Sequence, residues 1–219
     1  RGASLGILIK NGEALERAHA IGRVVFDKTG TVTEGRPSLT DVIPESRLDR
    51  DELLALAAAA EQGSEHPLGK AIAAGDTQAA QRTVQEFAGL AGQGVRAVVD
   101  GRRVLVGTAQ LMQESEVPVS CSTLETMARL EGEAKTARLV AVDGLSAGLL
   151  GVADTIRPGA RDAIKRLTAM GIRVALLTGD SERVANAVAA QVGITEVRAG
   201  VRPDQKLAAH MGEAAARKR

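Results

Sequence analysis

Aromatic residues are almost absent from this 219-residue chain: it has two phenylalanines, Phe26 and Phe87, and no tyrosine or tryptophan. Single-stranded nucleic acids are bound largely by stacking on aromatic side chains, so an aromatic platform of that kind is excluded. The single cysteine, Cys121, excludes an internal disulfide and a cysteine-rich zinc site. With 28 basic and 27 acidic residues the net charge is +1, and we therefore expect no nucleic-acid partner.

Long apolar runs are also missing. No run approaches the roughly 18 apolar residues that a membrane-spanning helix needs, and no signal peptide is recognisable. The chain opens on Arg1 without a methionine and closes at Arg219 inside a helical pattern, so we interpret it as a soluble fragment of a longer protein. Its 44% of hydrophobic and 25% of charged residues are typical of a globular protein with a buried core.

The spacing of apolar residues predicts alternating helices and strands. Two dipeptides, Asp100-Gly101 and Asp143-Gly144, are typical of tight hairpin turns between strands. The predicted helices cover residues 13–20, 51–60 with Asp49 or Asp51 as the cap, 68–74, 122–131, 158–170, 182–192 and 203–216. The predicted strands cover residues 23–26, 84–88, 94–99, 102–106, 136–142, 146–153, 172–177 and 197–199.

Alternating strands and helices near both ends of the chain predict an α/β fold with a doubly wound parallel sheet. The middle of the chain is instead rich in hairpins and predicts an antiparallel α+β module. We therefore expect a discontinuous outer domain, residues 1–42 and 152–219, with residues 43–151 inserted into it. Gly35-Arg36-Pro37 and Asp154-Thr155-Ile156-Arg157-Pro158 mark the two crossings and are expected to form a hinge.

Polar residues follow two predicted strands of the outer domain. Asp27-Lys28-Thr29-Gly30-Thr31 follows the strand that ends at Phe26, and Thr178-Gly179-Asp180 follows the strand that ends at Leu177. Ligands of open α/β sheets bind beyond the carboxyl ends of the strands. A carboxylate at such a position, surrounded by the amides of a glycine turn, can attack phosphorus if a cation offsets its charge. The pattern therefore admits phosphoryl transfer centred on Asp27.

The pentapeptide from Asp27 to Thr31 resembles the phosphorylation motif of P-type ATPases, ion pumps that form an aspartyl-phosphate. Asp154-Thr155-Ile156-Arg157-Pro158 looks like the family's hinge motif, and Thr178-Gly179-Asp180 looks like its second phosphate-site motif. Pro203-Asp204-Gln205-Lys206 looks like the segment that brings a lysine to the phosphate. The resemblance implies a haloacid-dehalogenase-like phosphorylation domain with an inserted nucleotide-binding domain. The catalytic residues that it implies are Asp27, Lys28, Thr29, Thr178, Gly179, Asp180 and Lys206.

The insert resembles the heavy-metal-transporting subclass. Ser64-Glu65-His66-Pro67-Leu68 is similar to the subclass's His-Pro motif, and Gly92-Gln93-Gly94 matches its Gly-x-Gly motif. Because no aromatic residue is available to stack on adenine, we expect an imidazole, a carboxylate and bare glycine backbone to bind the nucleotide. Thr108 stands where the subclass usually has Asn. The nucleotide-binding residues that the resemblance implies are Glu61, Ser64, Glu65, His66, Gly92, Gly94 and Gly107.

ATP and Mg²⁺ are the cofactors that the resemblance implies. Asp27 and the Thr29 carbonyl would bind Mg²⁺ together with an aspartate of a Gly-Asp-Gly-x-Asn-Asp motif, which would follow Arg219. The expected partners are membrane helices, an actuator domain and a copper chaperone, all outside these residues. The localisation implied is the cytoplasmic domain of an integral membrane protein. Cu(I) is the ion favoured by the stretch from Leu5 to Lys10 and by Glu65, with zinc or silver as alternatives.

Two other functions stay open at this level. The first is a soluble phosphohydrolase of the haloacid-dehalogenase superfamily, which shares the outer fold. Those enzymes usually carry a second aspartate two residues after the nucleophile, and here that position is Thr29. The second is a nucleotide-binding module without catalysis, which would not explain the intact motif at Asp27.

Overall fold

The computed structural model describes residues 20–45 and 48–201. In this part the chain forms a parallel sheet and an antiparallel sheet, with helices packed on both. The strands are β1 Arg23–Asp27, β2 Ser38–Pro44, β3 Val84–Leu90, β4 Gly94–Val99, β5 Arg102–Gly107, β6 Thr136–Val142, β7 Leu145–Ala153, β8 Arg173–Leu177 and β9 Glu196–Arg198. The helices are α1 Arg50–Ala60, α2 Pro67–Ala73, α3 Ala109–Glu114, α4 Cys121–Gly132, α5 Ala160–Ala169 and α6 Glu182–Val192.

The parallel sheet has the strand order β1-β8-β9. β1 and β8 run in parallel with Asp27 opposite Leu177, so the chain leaves both strands at the same edge of the sheet. A core that includes Leu176, Val184 and Val188 joins α6 to the sheet. α6 begins at the Ser181 cap, whose side chain accepts from the Val184 amide, as is usual for a serine N-cap. The predicted α/β class is confirmed.

The antiparallel sheet has the order β2-β7-β6-β5-β4-β3. Both predicted hairpins are confirmed: β4 pairs with β5, and β6 pairs with β7. The turn residues Asp100 and Asp143 have positive φ angles of 49° and 53°, and the glycine after each is also left-handed. Two successive positive φ angles match the right-handed twist of the flanking strands, which is why Asp-Gly suits these turns.

One face of the antiparallel sheet is covered by α1, whose alanines and leucines are buried against it. Small alanine side chains let the helix axis approach the sheet closely, while Leu53 and Leu56 fill the remaining space with no exposed surface. Of the two predicted caps, Asp49 is the one used: its side chain accepts a hydrogen bond of 2.8 Å from the Glu52 amide. α1 ends at Ala60, and this places Glu61 at the rim of the sheet.

Two elements were not predicted. β2 pairs with β7 from Ser38 to Pro44, so the antiparallel sheet begins before residue 43 and continues past residue 151 to Ala153. The mixed sequence of β2 and its terminal proline are not typical of a strand, so no strand is predicted there. The proline is tolerated because β2 is an edge strand. α3 has only six residues, too few for a periodic signal, and begins at the Thr108 cap. The division into residues 1–42, 43–151 and 152–219 stays a prediction.

Other boundaries differ by a few residues. The predicted helix over 158–170 begins at Ala160 because Gly159, with a φ of 85°, is its left-handed N-cap. The helices predicted over 13–20 and 203–216 lie, apart from Ala20, outside the described residues. In the part of the chain that the structure describes, no helix combines the length and apolarity needed to cross a bilayer.

Candidate active site

The two predicted polar clusters lie side by side at the carboxyl edge of the parallel sheet. Asp27 is the last residue of β1, and Thr178 directly follows β8. Lys28 is 8% exposed, and its ammonium group forms an ion pair with Asp180. The Thr178 hydroxyl donates to Asp180 Oδ2 at 2.8 Å, and the Asp180 amide donates back to that hydroxyl at 3.2 Å. The structure thus brings Asp27, Lys28, Thr178 and Asp180 together.

Asp180 is held in its ionised form. Burial alone would raise the pKa of its carboxyl, but the charge and hydrogen bond of Lys28 outweigh burial, and the net effect lowers the pKa. The Thr178 hydroxyl and the charge of Arg138 act in the same direction. Asp180 therefore carries a negative charge that fixes the Lys28 ammonium beside the Asp27 backbone.

A tight turn over Lys28–Val32 buries its first and last residues and presents Thr29 and Gly30 to solvent. Thr29 has an extended backbone (φ −76°, ψ 123°), and Gly30 is left-handed with a φ of 76°, a conformation that favours glycine. Both residues are exposed, as is Gly179 on the neighbouring loop. Lys206 lies outside the described residues.

The turn is held by hydrogen bonds with the segment Asp154-Thr155-Ile156-Arg157-Pro158. The carboxylate of Asp154 accepts from the Thr33 hydroxyl at 2.6 Å, from the Gly35 amide at 3.1 Å and from the Arg36 amide at 3.1 Å. The Arg157 guanidinium donates to the Thr33 and Gly30 carbonyls at 3.0 and 3.1 Å. Both predicted chain crossings are therefore joined to each other by hydrogen bonds, and their role as a hinge stays a prediction.

The second predicted cluster lies at the rim of the antiparallel sheet, where α1 gives way to α2. Glu61 is only 5% exposed although it carries a carboxyl group. Burial raises its pKa, while the Ser64 hydroxyl and the charge of Arg138 partly oppose that rise. A Cβ atom at Gly69 would lie 2.3 Å from both Glu61 Oε2 and Ser64 Oγ, so only glycine leaves room for this carboxyl.

His66 forms the N-cap of α2. Its Nδ1 accepts a hydrogen bond of 3.2 Å from the Leu68 amide, so this nitrogen carries no proton. Partial burial and the charge of Arg138 lower the pKa of His66, against the opposite effect of Asp180. Glu65 beside it is exposed. His66 is therefore a neutral hydrogen-bonding group at the cleft.

The three predicted glycines lie close together where β4 begins and β5 ends. Gly94 pairs with Gly107 across β4 and β5, and Gly92 lies in the left-handed turn before them. A Cβ at Gly94 would lie 2.0 Å from the Val106 carbonyl oxygen, and one at Gly107 would lie 2.5 Å from the Gln93 oxygen. Gly92 has no neighbour within 4 Å of its Cβ position. Gly94 and Gly107 therefore allow the backbones of β4 and of the turn before it to approach β5 closely, and only Gly92 leaves open space beside the backbone.

β6 connects the two clusters through residues that the sequence interpretation missed. The Thr136 hydroxyl donates to Asp180 Oδ1 at 3.4 Å, and two residues along the strand Arg138 acts electrostatically on both Glu61 and Asp180. A signal was present: Arg138 interrupts the otherwise apolar run Ala-Arg-Leu-Val-Ala-Val, and arginine is seldom placed in a buried strand without a partner.

A match to the haloacid dehalogenase-like hydrolases covers residues 21–210. The chain belongs to this family.

Two of the curated relatives of this chain carry the name P-type ATPase. A copper-exporting P-type ATPase of Bacillus subtilis (strain 168) is 47% identical over 95% of the chain, which spans 26% of that protein. A copper-transporting P-type ATPase of Rhizobium leguminosarum bv. viciae is 43% identical over 95% of the chain, which spans 25% of that protein. The chain therefore spans about a quarter of the length of these relatives.

A solved structure to which this chain is similar is also named a P-type ATPase. A zinc-transporting PIB-type ATPase in its E2.Pi state is 37% identical and superposes with a TM-score of 0.63, covering 94% of this chain and 34% of that one. The expected haloacid-dehalogenase-like fold is thus confirmed, and the chain is similar to P-type ATPases, whereas the roles of individual residues stay predictions.

Proposed function

We propose that this chain is the ATP-binding and phosphorylation part of a heavy-metal P-type ATPase, and that Asp27 becomes an aspartyl-phosphate. The observation that carries the proposal is the position of Asp27 at the end of β1, next to the Lys28–Asp180 ion pair and the loop after β8. The names of the relatives support the same function.

In the proposed reaction a carboxylate oxygen of Asp27 attacks the γ-phosphorus of ATP. A bond forms between that oxygen and the phosphorus, the bond from the phosphorus to the β–γ bridging oxygen breaks, and ADP leaves. Lys28 is fixed by Asp180 and supplies positive charge beside the strand end. By the family resemblance, Thr178 and Lys206 would contact the phosphoryl oxygens.

The nucleotide would lie in the cleft at the rim of the antiparallel sheet. Glu61 would accept a hydrogen bond from the exocyclic amine of the purine, and His66 would contact the ring. Gly92, Gly94 and Gly107 would allow the nucleotide to lie directly on the backbone. Ser64 donates to the Glu61 carboxyl and so orients it, and Glu65 stays at the exposed edge of the site.

The residues at the turn fit the requirements of Mg²⁺. This ion is usually bound by one or two carboxylates together with waters and substrate phosphates, not by a cage of protein ligands. In residues 20–45 and 48–201 no group of three or more His, Cys, Asp or Glu side chains could hold a metal ion by itself. Asp27 and the carbonyl of the exposed Thr29 would supply the protein ligands. Bound Mg²⁺ offsets the negative charges of the carboxylate and the triphosphate.

We further propose Cu(I) as the transported ion, since the two relatives compared above carry copper in their names. The zinc-transporting structural neighbour keeps zinc as the alternative. The chain would then be the cytoplasmic part of a membrane protein whose helices and actuator domain lie outside these residues. A copper chaperone would be a partner of the whole pump.

A phosphohydrolase is the second candidate, and the family name itself favours it. Its general acid–base aspartate would stand at position 29, where this chain has an exposed threonine. A threonine hydroxyl does not titrate near neutral pH, so it cannot serve that role efficiently. The threonine favours an aspartyl-phosphate that persists long enough to drive transport.

Calorimetric titration of the 219-residue chain with a non-hydrolysable ATP analogue tests the nucleotide site. We expect binding by the wild type and a loss of about 1–3 kcal/mol in the His66→Gln variant, because a polar partner of the purine is removed. His19→Gln is the matched control, since no motif surrounds that histidine. Equal affinity of His66→Gln and wild type would remove His66 from the site, and no binding by the wild type would contradict the proposed function.

A further inference from the structure

Phe87 is the single aromatic residue between positions 43 and 151, since the other phenylalanine of the chain, Phe26, lies in β1. It belongs to β3, an edge strand of the antiparallel sheet. Its side chain is 39% exposed, so it is not a core residue. Its contacts lie instead at the surface of the sheet.

The backbone of β3 is distorted where it carries this ring. The pairing with β4 shifts between Gln85 and Ala88, so Glu86 and Phe87 together stand opposite one residue of β4. Glu86 has a φ of 50°, a left-handed conformation that is costly for a residue with a Cβ atom. A bulge of this kind changes the direction in which its side chains project. The strand therefore places Phe87 differently from a residue of a regular strand.

The ring of Phe87 lies flat on Gly63. A Cβ atom at Gly63 would lie 3.0 Å from both Cδ1 and Cε1 of the ring and 3.1 Å from its Cγ. Nearly equal distances to three consecutive ring atoms place that position over the face of the ring, because a position at its edge would be closer to one of them. Carbon atoms pack best at about 3.5–4.0 Å, so a methyl group here would press on the ring. Glycine lets the ring rest on the backbone.

Gly63 belongs to the same short turn as Glu61. Residues Glu61–Gly63 form one 3₁₀ turn after α1, closed by a hydrogen bond of 2.9 Å from the Ser64 amide to the Glu61 carbonyl. The carboxyl group of Glu61 is buried beside Gly69. Because the turn has only three residues, a ring that holds one end of it also restricts the backbone from which the Glu61 side chain projects.

We propose that Phe87 is a positioning residue: by lying on Gly63, it directs the Glu61 carboxyl group toward the exocyclic amine of the purine. The inference rests on the proposed function, because Glu61 is the proposed acceptor for that amine. Hydrogen bonds weaken steeply with distance and angle, so a small rotation of the turn lowers the preference for the amine without removing the site. Phe87 acts through the turn, and no contact of its ring with the nucleotide is required.

The test compares two ligands by calorimetric titration of the 219-residue chain: a non-hydrolysable ATP analogue and the same compound without its 6-amino group. In the wild type we expect the amine to strengthen binding about tenfold, as one hydrogen bond to a carboxylate would. In Phe87→Ala the preference should fall to about threefold or less, because the turn is no longer held. Leu145→Ala, an apolar residue of similar exposure at the start of β7, is the matched control and should keep the wild-type preference.

Gly63→Ala provides a second variant on the other side of the contact. Its methyl group would displace the ring, so the preference for the amine should fall in this variant as well. In the Phe87→Ala background the ring is gone, and the same substitution should have no further effect. This non-additivity is expected of two residues in contact that act as a unit. A loss of stability alone would not change the preference for one amino group.

The outcomes separate the inference from the proposed function. No binding by the wild type contradicts the proposed function, and equal binding of both ligands removes Glu61 from the amine; the inference falls in either case. If the wild type prefers the amine, an unchanged preference in Phe87→Ala overturns the inference alone, as do equal weakening of both ligands and additive effects of the two substitutions. Should Phe87→Ala not fold, Gly63→Ala decides: a lowered preference supports the inference, and an unchanged one overturns it.

Discussion

The turn after Asp27, where we propose phosphorylation, and the region of Glu61, His66 and the three glycines, where we propose nucleotide binding, are built in opposite ways. Around the turn side chains hold several polar groups: Asp154 accepts from three donors, Arg157 donates to carbonyls of the turn, and Lys28 is paired with Asp180. The proposed nucleotide site instead consists of closely packed glycines, a buried carboxyl and a helix cap. Hydrogen bonds and an ion pair between side chains fix the turn, whereas the proposed nucleotide site depends on glycines that have no side chain.

This difference has a physical reason. A nucleophile must be held within a fraction of an ångström of its target, and the hydrogen bonds of Asp154 and Arg157 fix the turn that follows Asp27. A purine is a flat ligand that needs space and one or two directional contacts, and side chains would only obstruct it. We therefore expect mutations in the turn to impair phosphoryl transfer, and mutations at the proposed nucleotide site to impair binding by steric clashes.

The largest effect is expected for Asp27→Asn. An amide is a poor nucleophile, so the acid-stable, hydroxylamine-sensitive label from radioactive ATP should vanish in the whole membrane protein that we propose contains this chain. Nucleotide binding by the 219-residue chain should persist, because the purine site belongs to the other region. Asp162→Asn on α5 is the matched control and should keep the label.

A label that survives Asp27→Asn would place the nucleophile elsewhere. Brisk hydrolysis of simple phosphate esters by the 219-residue chain would instead favour the phosphohydrolase.

The next effect is steric and concerns the cleft. In Gly94→Ala the new methyl group would lie 2.0 Å from the Val106 carbonyl oxygen and 2.6 Å from Gly107 Cα, at a φ of 153°. Because the obstacle is backbone, β4 and β5 must separate, and we expect a loss of about 2–4 kcal/mol in the free energy of unfolding together with loss of nucleotide binding. Denaturant titration and calorimetry measure the two effects.

Gly89→Ala on β3 is the control, because nothing lies within 4 Å of its Cβ position. Its stability should change by less than about 1 kcal/mol. A tolerated Gly94→Ala would show that the close approach of the strands is not required.

A smaller effect is expected for Asp154→Asn, which tests the fixation of the turn. The amide keeps one acceptor oxygen but loses the negative charge, so the hydrogen bonds from Thr33, Gly35 and Arg36 cannot all persist. We expect the free energy of unfolding to fall by about 1–3 kcal/mol, the cost of losing charged hydrogen bonds. The ATP-analogue affinity should stay close to that of the wild type.

Asp162→Asn again serves as the control for removing one negative charge. Equal stability of the two variants would mean that the hydrogen bonds of Asp154 contribute nothing net. A large loss of nucleotide affinity in Asp154→Asn would contradict the separation of the two regions.

The sequence predicted best those features that short stretches determine. Asp100-Gly101 and Asp143-Gly144 determine their hairpins locally, and α6 was predicted with the bounds that the structure has. β2 was missed because its strand character comes from pairing with β7, about 110 residues further along the chain, and not from its own pattern.

The site shows the same division between local and distant determinants. Asp27 and Thr178 could be placed at one edge because parallel strands bring their ends together. The hydrogen bond between Thr33 and Asp154 joins residues 121 positions apart, and no local pattern specifies it. Arg138 was overlooked because its electrostatic interactions with Glu61 and Asp180 depend on the folding of distant segments beside β6.

The smallest effect concerns pH and the cap of α2. The pKa of His66 is lowered from 6.5 in the folded chain, so the unfolded chain binds the proton more readily. The stability from the neutral cap is therefore complete above about pH 6.5 and is lost as the pH falls through the lowered folded value. Protonation of Nδ1 would remove the acceptor for the Leu68 amide, and caps of this kind contribute about 1 kcal/mol.

His66→Asn is the variant that isolates this effect, because asparagine can cap α2 without titrating. Denaturant unfolding of both proteins at pH 7.5 and pH 5.5 should show the wild type losing more stability on acidification, by up to about 1 kcal/mol. His19 and His210 are present in both proteins, as is Glu61 with its raised pKa, so their contributions cancel in the difference. Identical losses in the two proteins would mean that the imidazole caps the helix equally well when protonated, and that the cleft does not depend on a neutral His66.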